Sequence, residues 1–373
     1  MAVRISWKQA LAWRMRRHLL DPVGRRPVAE VVDRLCGVQA QVASSADLAI
    51  RLRRETSRQG EVARALRDGR LLKTWAMRGT LHLLTPEEAG TFLSVMATGR
   101  SWERPSWQRY FGVAPKQVEA LRHAVGVALE GRCLTRDELV AAVVAQRGLR
   151  HVGEALRSGW GTLLKPIAWQ GGLCFGPSQG SRVTFMRPED ASSRWSGLPD
   201  PEDAAPAAIV AYFRAYGPSR IEAFGNWLAG GWFGKRQLRA WFGTLEERLT
   251  EVDVDGERAY VLTEDLDELA STGPTSVVRL LPGFDQYVLG PGTGDGRVVP
   301  ASRRAAVSRQ SGWISPVVVV GGVVSGTWEL DGDHARVTWF KEAGRPPRKA
   351  LDAEVARVAA ILDRDVRAVI GIA

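Results

Sequence analysis

The sequence predicts an α+β fold in which short helices run into a two-stranded hairpin three times over, followed by a small β-rich domain. Three observations carry this. Apolar residues recur at helical spacing ahead of each hairpin. The second strands of the three hairpins align: RGTLHLLTPEEA from Arg78, SRVTFMRPEDAS from Ser181 and ERAYVLTEDLDE from Glu257. From about Thr275 the texture changes to short strands divided by Gly, Pro and Asp.

In the first segment Pro27 opens a helix with Val28, Val31, Val32 and Leu35 on one face. Helices over Ser44–Arg53 and Glu61–Arg67 follow, then strands Leu71–Met77 and Thr80–Leu84 across Arg78-Gly79. Thr85-Pro86-Glu87-Glu88 starts another helix. The second segment has helices over Pro115–Glu130 and Thr135–Gln146. A longer helix over Gly153–Trp169 follows, with Leu156, Trp160, Leu163 and Leu164 on its apolar face. Its hairpin comprises Gly172–Gly176, a turn at Pro177–Gly180, and Arg182–Met186. The third has helices over Glu202–Tyr216, Ser219–Leu228 and Lys235–Phe242, then Arg248–Val254, a turn at Asp255-Gly256, and Arg258–Leu262.

Three helices followed by a hairpin is the winged-helix plan, in which the third helix enters a groove of DNA and the hairpin touches the backbone. Winged helices also mediate protein contacts, so a single copy is equally readable as a scaffold unit. The expected division is 1–100, 101–198 and 199–273 for three tandem winged helices, and 274–373 for a small β-barrel. Strands are expected in the last domain over Ser276–Leu281, Gln286–Leu289, Val317–Val320, Val323–Glu329 and Ala335–Phe340, with a closing helix over Ala350–Leu362. Its loop Pro291–Arg309 carries Arg297, Arg303, Arg304 and Arg309 around a glycine-rich turn. That pattern suits phosphate or minor-groove contact; a solvated loop is the plainer reading.

The net charge is +10, and 44 of the 51 basic residues are arginine. Codon usage accounts for arginine over lysine but not for the surplus of positive charge, which points to a polyanion. Cys36, Cys133 and Cys174 lie far apart with no CxxC pair, and the five histidines show no ligand spacing. Neither a disulfide framework nor a metal is expected, and no cofactor. No apolar run reaches the ~18 residues of a membrane span. Lys8, Arg14, Arg16 and Arg17 interrupt what would be the apolar core of a signal peptide. The expected location is the cytoplasm, in association with the nucleoid.

Walker A, GxSxG, HExxH and deaminase signatures are absent. Acidic pairs such as Glu87-Glu88 and Asp137-Glu138 fall at helix starts, where they complement the dipole. One cluster stands apart: Gln39-Ala40-Gln41, between the Pro27 helix and Ser44-Ser45-Ala46-Asp47. The two glutamines share a face if the segment is extended and diverge if it is helical. From the residues alone they read as helix-cap groups, phosphate contacts or a polar reaction site.

Four stretches resemble the AlkZ/YcaQ-type bacterial DNA glycosylase family: LCGVQAQVASSADLAIRLR from Leu35, KTWAMRGTLHLL from Lys73, LPGFDQYVLG from Leu281 and GWISPVVVVGGVVSGTW from Gly312. The resemblance spans essentially the whole chain. It implies three winged helices in a C-shaped arrangement with a β-barrel, and excision of bulky N7-alkylguanine. Gln39 and Gln41 match the catalytic Gln-apolar-Gln signature of the AlkZ branch, whereas the YcaQ branch carries Gln-apolar-Asp. That branch implies repair or self-resistance against a DNA-alkylating antibiotic, with interstrand crosslinks among the candidate substrates. The expected partner is double-stranded DNA containing alkylated guanine, bound by a monomer without a membrane.

N7-alkylguanine is cationic and leaves without protonation, so amides that position water suffice. No lysine lies beside the motif in sequence to offer lyase chemistry; the nearest are Lys8 and Lys73, of which Lys73 stays open to approaching it in the fold. Supporting candidates are Trp75, Arg78 and His82 on the first hairpin, with Arg78 on phosphate and His82 either on DNA or in a polar core position. Asp285 and Tyr287 are placed at the barrel entrance, where they face DNA or, for Asp285, satisfy local backbone donors. Of the 14 tryptophans, some of Trp102, Trp107 and Trp313 are candidates for stacking on DNA, and most belong to the core. Two rivals remain: a non-catalytic DNA-binding protein such as a transcription regulator, and a protein-interaction scaffold.

Overall fold

A computed structural model describes residues Val3–Ala373. Helices and strands alternate along the whole length in an α+β arrangement. The four-part division above is one of sequence pattern; by compactness the chain falls into two discontinuous units. The first holds the residues up to Glu61, Ile209–Trp227 and Phe242–Ala373; the second holds Val62–Ala208 and Leu228–Trp241.

In the second unit the first two hairpins join in one sheet. Leu72–Trp75 and Leu81–Leu84 pair antiparallel. Lys73 pairs with Phe175 of the next hairpin, Cys174–Phe175 with Thr184–Met186, and Leu134–Thr135 adds beyond it. The first hairpin turns through left-handed residues Arg78 and Gly79, at φ 55° and 66°. The Arg136–Val144 helix opens with a capping box between Thr135 and Glu138.

The single helix expected over Gly153–Trp169 is two short ones, Gly153–Arg157 and Lys165–Trp169. Gly159 and Gly161 fall in the break and disfavour helix. Gly161 is also left-handed at φ 65°, and a Cβ there would stand 2.2 Å from the Trp75 ring. Trp160, expected on an apolar face, is 71% exposed.

In the first unit, strand Val3–Ile5 runs parallel to Val252–Val254 and makes a three-stranded sheet with the third hairpin, Leu249–Val254 and Glu257–Leu262. Ahead of that hairpin Tyr212, Phe213, Phe224, Trp227 and Phe242 form an aromatic cluster with ring centroids 5.1 to 5.9 Å apart. The C-terminal sheet has the order Val278–Leu281, Val317–Val320, Val323–Asp331, His334–Trp339, Arg367–Ile372. The last strand is parallel to its neighbour and the others are antiparallel. Where a barrel was expected, the first and last of these strands are edges, and no pairing between them is seen among the described residues.

Both faces of this sheet are covered, which explains its unbroken valine run. Val317, Val319 and Val324 pack with Leu11, Met15, Phe284 and Tyr287 on one side. Val318, Leu280, Trp328 and Trp339 pack with Leu48, Leu52, Leu351 and Val355 on the other. Gln286–Leu289, read as a strand, is one helical turn because the Asp285 carboxylate caps it, accepting the Tyr287 N–H at 2.8 Å. No helix among the described residues is long and apolar enough to cross a membrane.

Gly161→Ala tests the break between the two short helices. The added methyl meets the Trp75 ring and a left-handed backbone at once, so a loss of about 1–3 kcal/mol in urea unfolding is expected.

Candidate active site

The Gln39-Ala40-Gln41 segment is set by how the helix before it stops. Val28–Arg34 ends through two left-handed residues, Cys36 at φ 60° and Gly37 at φ 84°. The Gly37 N–H donates to the Val32 carbonyl at 3.0 Å, closing the wide loop of a Schellman stop. The Tyr216 hydroxyl donates to the Leu35 carbonyl at 2.6 Å, so the turn is held from a second element of the same unit. The chain leaves this turn extended through Val38–Gln39 and bends at Gln41-Val42 into the Ala43–Arg51 helix. Gln39 and Ala40 are buried, at 6% and 2% exposure, while Gln41 is exposed.

The extended alternative thus holds through Gln39, and the bend then gives the two amides different surroundings. Val42, the residue before the helix, offers no side-chain cap, so the helix presents a bare positive end beside Gln41. Glutamine does not titrate near neutral pH, so the chemistry available here is hydrogen bonding and dipole orientation.

The far end of this helix is anchored deeply. Arg53 and Asp285 form a two-pronged ion pair at 2.8 and 2.7 Å, with side chains 0% and 1% exposed. Arg53 also donates to the Ala49 carbonyl at 2.7 Å. Two further arginines bind the same helix end to the closing helix Arg348–Leu362: Arg51 donates to the Ile361 carbonyl, and Arg357 to that of Leu52 at 3.0 Å. A cleft of about 740 Å³ lies beyond this end, lined by Arg54, Arg58, Glu61 and Arg357. Neither glutamine lines it, and its Arg54 and Glu61 pair with each other.

The other expected site residues divide by burial. Asp285 is spent on Arg53 and the Tyr287 N–H. Tyr287 is fully buried and its hydroxyl donates to the Gly322 carbonyl at 2.8 Å. Neither side chain reaches a surface that DNA could touch. Trp75 is buried in the sheet core, edge-on to Phe175 at 4.6 Å. His82 is wholly buried with Nδ1 3.0 Å from the Thr80 carbonyl, so it fills the polar core position. Burial first, and the Arg78 charge second, push its imidazole down to about 3. Arg78 is half-buried at the turn.

In the arginine loop, Arg297 pairs with Asp295 and Glu257, and Arg303 with Glu342. Arg304 and Arg309 are exposed, with no ion pair among the described residues. Trp313 is 47% exposed and edge-on to Phe284, Trp107 is half-buried, and Trp102 is core. Arg53 was invisible in the sequence, being one arginine among 44 with a partner 232 residues away. Among the described residues no group of three or more His, Cys, Asp or Glu is placed to hold a metal ion.

Comparison with known proteins places this geometry in a family context. Residues 32–361 match the family described as DNA glycosylase AlkZ-like. The interstrand DNA cross-link repair glycosylase of Streptomyces sahachiroi is 50% identical over 358 residues, 96% of each chain. The solved structure of Streptomyces sahachiroi DNA glycosylase AlkZ superposes with a TM-score of 0.96 at 49% identity, covering 100% of both chains.

Two outcomes follow from the buried groups. Asp285→Asn leaves the Arg53 charge uncompensated, and a loss of about 3–5 kcal/mol in chemical denaturation is expected. For His82, the folded value lies below the ordinary one, so the unfolded chain takes the proton first. Its stabilising contribution is present above about pH 6.5 and is lost as pH falls towards the folded value, by up to about 1.4 kcal/mol per unit. Urea midpoints at neutral and mildly acidic pH check this: His82→Gln flattens the decline, and an unchanged slope contradicts it.

Proposed function

Since this chain belongs to the AlkZ-like DNA glycosylase family, we propose that it hydrolyses the N-glycosidic bond of bulky, cationic N7-alkylguanines in duplex DNA, interstrand crosslinks among them. Family membership sets aside the readings as a transcription regulator or a scaffold. The observation that carries the specific proposal is the Gln39-Ala40-Gln41 segment, held between a locked turn and the bare positive end of a helix.

An alkyl group on N7 leaves the guanine ring positively charged. As the bond from C1′ to N9 breaks, its electron pair moves into the ring and neutralises it, so no acid need protonate the base. Positive charge develops on the sugar, a water adds at C1′, and its proton is released to solvent. A glutamine carbonyl accepts a hydrogen bond from that water, and its NH₂ group donates to a phosphate or the lesion. Gln39, being buried, has the narrower choice of orientation and suits the water; Gln41, exposed beside the helix end, suits a neighbouring phosphate. Two neutral amides are weak bases, so uncharged bases are poor substrates. No side chain here is assigned to a Schiff base, and strand cleavage is not part of the reaction.

We read the three helix–hairpin segments as winged helices. Arg304 and Arg309 are the loop residues whose exposure and lack of acidic partners suit phosphate contact. The biological setting we propose is repair, or self-resistance to a DNA-alkylating antibiotic, by a cytoplasmic monomer acting at the nucleoid.

The test is release of 7-methylguanine from methylated duplex under single-turnover conditions. Gln39→Ala and Gln41→Ala are each expected to slow release by about 100-fold, the scale of losing one positioned hydrogen-bonding group. Full activity in both variants rejects the assignment.

A further inference from the structure

Of the helices that directly precede the three hairpins, the third carries the densest positive face. Glu61–Arg67 exposes Arg64 and Arg67 but begins with an acid, which pairs with Arg54, and Lys165–Trp169 is mostly buried. Lys235–Gly243 contains no acidic residue. It buries Leu238 and Trp241 and exposes Lys235, Arg236 and Arg239. At 3.6 residues per turn the three cations fall within an arc of about 100°. None of them makes an ion pair among the described residues, whereas many arginines elsewhere do. Lys235 and Arg236 also occupy the first turn, where the helix dipole disfavours positive charge. Stability of the isolated helix does not account for that placement.

The loop before this helix adds a second observation. In Gly230-Gly231-Trp232-Phe233-Gly234 the two aromatic residues part company. Phe233 is anchored edge-on to Trp241, with ring centroids 5.0 Å apart. Trp232 stays 50% exposed, with the exposed Arg104 guanidinium 5.7 Å from its ring centroid. An indole held out of the core with a cation over its face, at the start of a basic helix, combines positive charge with a stacking surface.

We propose that Lys235, Arg236, Arg239 and the Arg104–Trp232 stack form a sequence-independent contact for the sugar–phosphate backbone of duplex DNA, separate from the Gln39–Gln41 segment. The occupant is fixed by charge complementarity: the patch has no acid of its own and the family's substrate is a polyanion. The proposal rests on the DNA glycosylase reading for the presence of DNA, and not on the identity of the lesion. It gives the enzyme a grip on undamaged duplex, which base chemistry alone does not supply.

Binding of full-length protein to a short unmodified duplex, followed by fluorescence anisotropy across a salt series, tests this. Arg236→Glu/Arg239→Glu is expected to lose at least about tenfold in affinity. The plot of log affinity against log salt should become shallower by about two units, one for each phosphate contact removed. Arg236→Gln/Arg239→Gln should do the same to a smaller extent, and Trp232→Ala should weaken binding with the salt slope retained. All three variants alter exposed side chains, so thermal midpoints equal to wild type certify the comparison. Affinity and slope within twofold of wild type in the double charge reversal overturn the proposal. So does a loss of affinity with an unchanged slope, which would report an indirect effect. Single-turnover release of 7-methylguanine at saturating enzyme separates the two readings. If wild type binds but releases nothing, the catalytic reading fails while the contact stands; if release persists and binding is indifferent to the charge reversal, the contact fails alone.

Discussion

The ion pair between Arg53 and Asp285 is the constraint on which the rest of the first unit turns. Two opposite charges are held out of water, and each is useful only while the other stays in place. Desolvation makes such a pair a poor source of net stability compared with apolar packing, but it makes any other arrangement expensive. Arg53 lies just beyond the helix that follows the glutamine segment, and Asp285 caps the turn that leads away from the C-terminal sheet. The pair therefore fixes the helix's axial position against that sheet, while Leu48 and Leu52 supply the apolar contact. With the Tyr216 hydroxyl on the Leu35 carbonyl, the glutamine segment is held at both ends. A neutral residue that works by orientation requires such a frame, because positional error is not rescued by charge.

What could be read in the sequence and what could not follows from the range of the forces involved. Short-range signals were legible. The Glu61–Arg67 helix, the hairpin turns at Arg78-Gly79 and Asp255-Gly256, and the separate strands beginning at Val317 and Val323 all rest on local spacing or on glycine. Gln286–Leu289 misled because its apolar residues fit a strand, and a single capping carboxylate decided for a helical turn. Val3–Ile5 is too short to show a period, and it exists as a strand only because Val252–Val254 offers it partners.

The site shows the same division. The Gln-apolar-Gln spacing was visible, and so were the loop arginines, but whether a polar side chain faces water is decided by distant residues. Asp285, Tyr287, His82 and Trp75 all sit in motifs that look chemical, and all four are buried. Asp285 and Tyr287 hold the frame, whereas His82 stays neutral within the sheet of the second unit. The helix Lys235–Gly243 is legible from its spacing, but its positive face is not, because which of its cations lack an acidic partner is decided only in three dimensions.

The discontinuity of the first unit has a consequence for how the protein comes into being. A ribosome delivers the glutamine segment early, but Tyr216, Asp285 and the strand Arg367–Ile372 emerge far later. Until they arrive, the Arg53 side chain has no counter-ion and Leu48 and Leu52 have no sheet to pack on. A nascent chain thus carries the glutamine segment before the residues that hold it have been made. The frame around that segment is complete only once Asp285, 232 residues after Arg53, has been made.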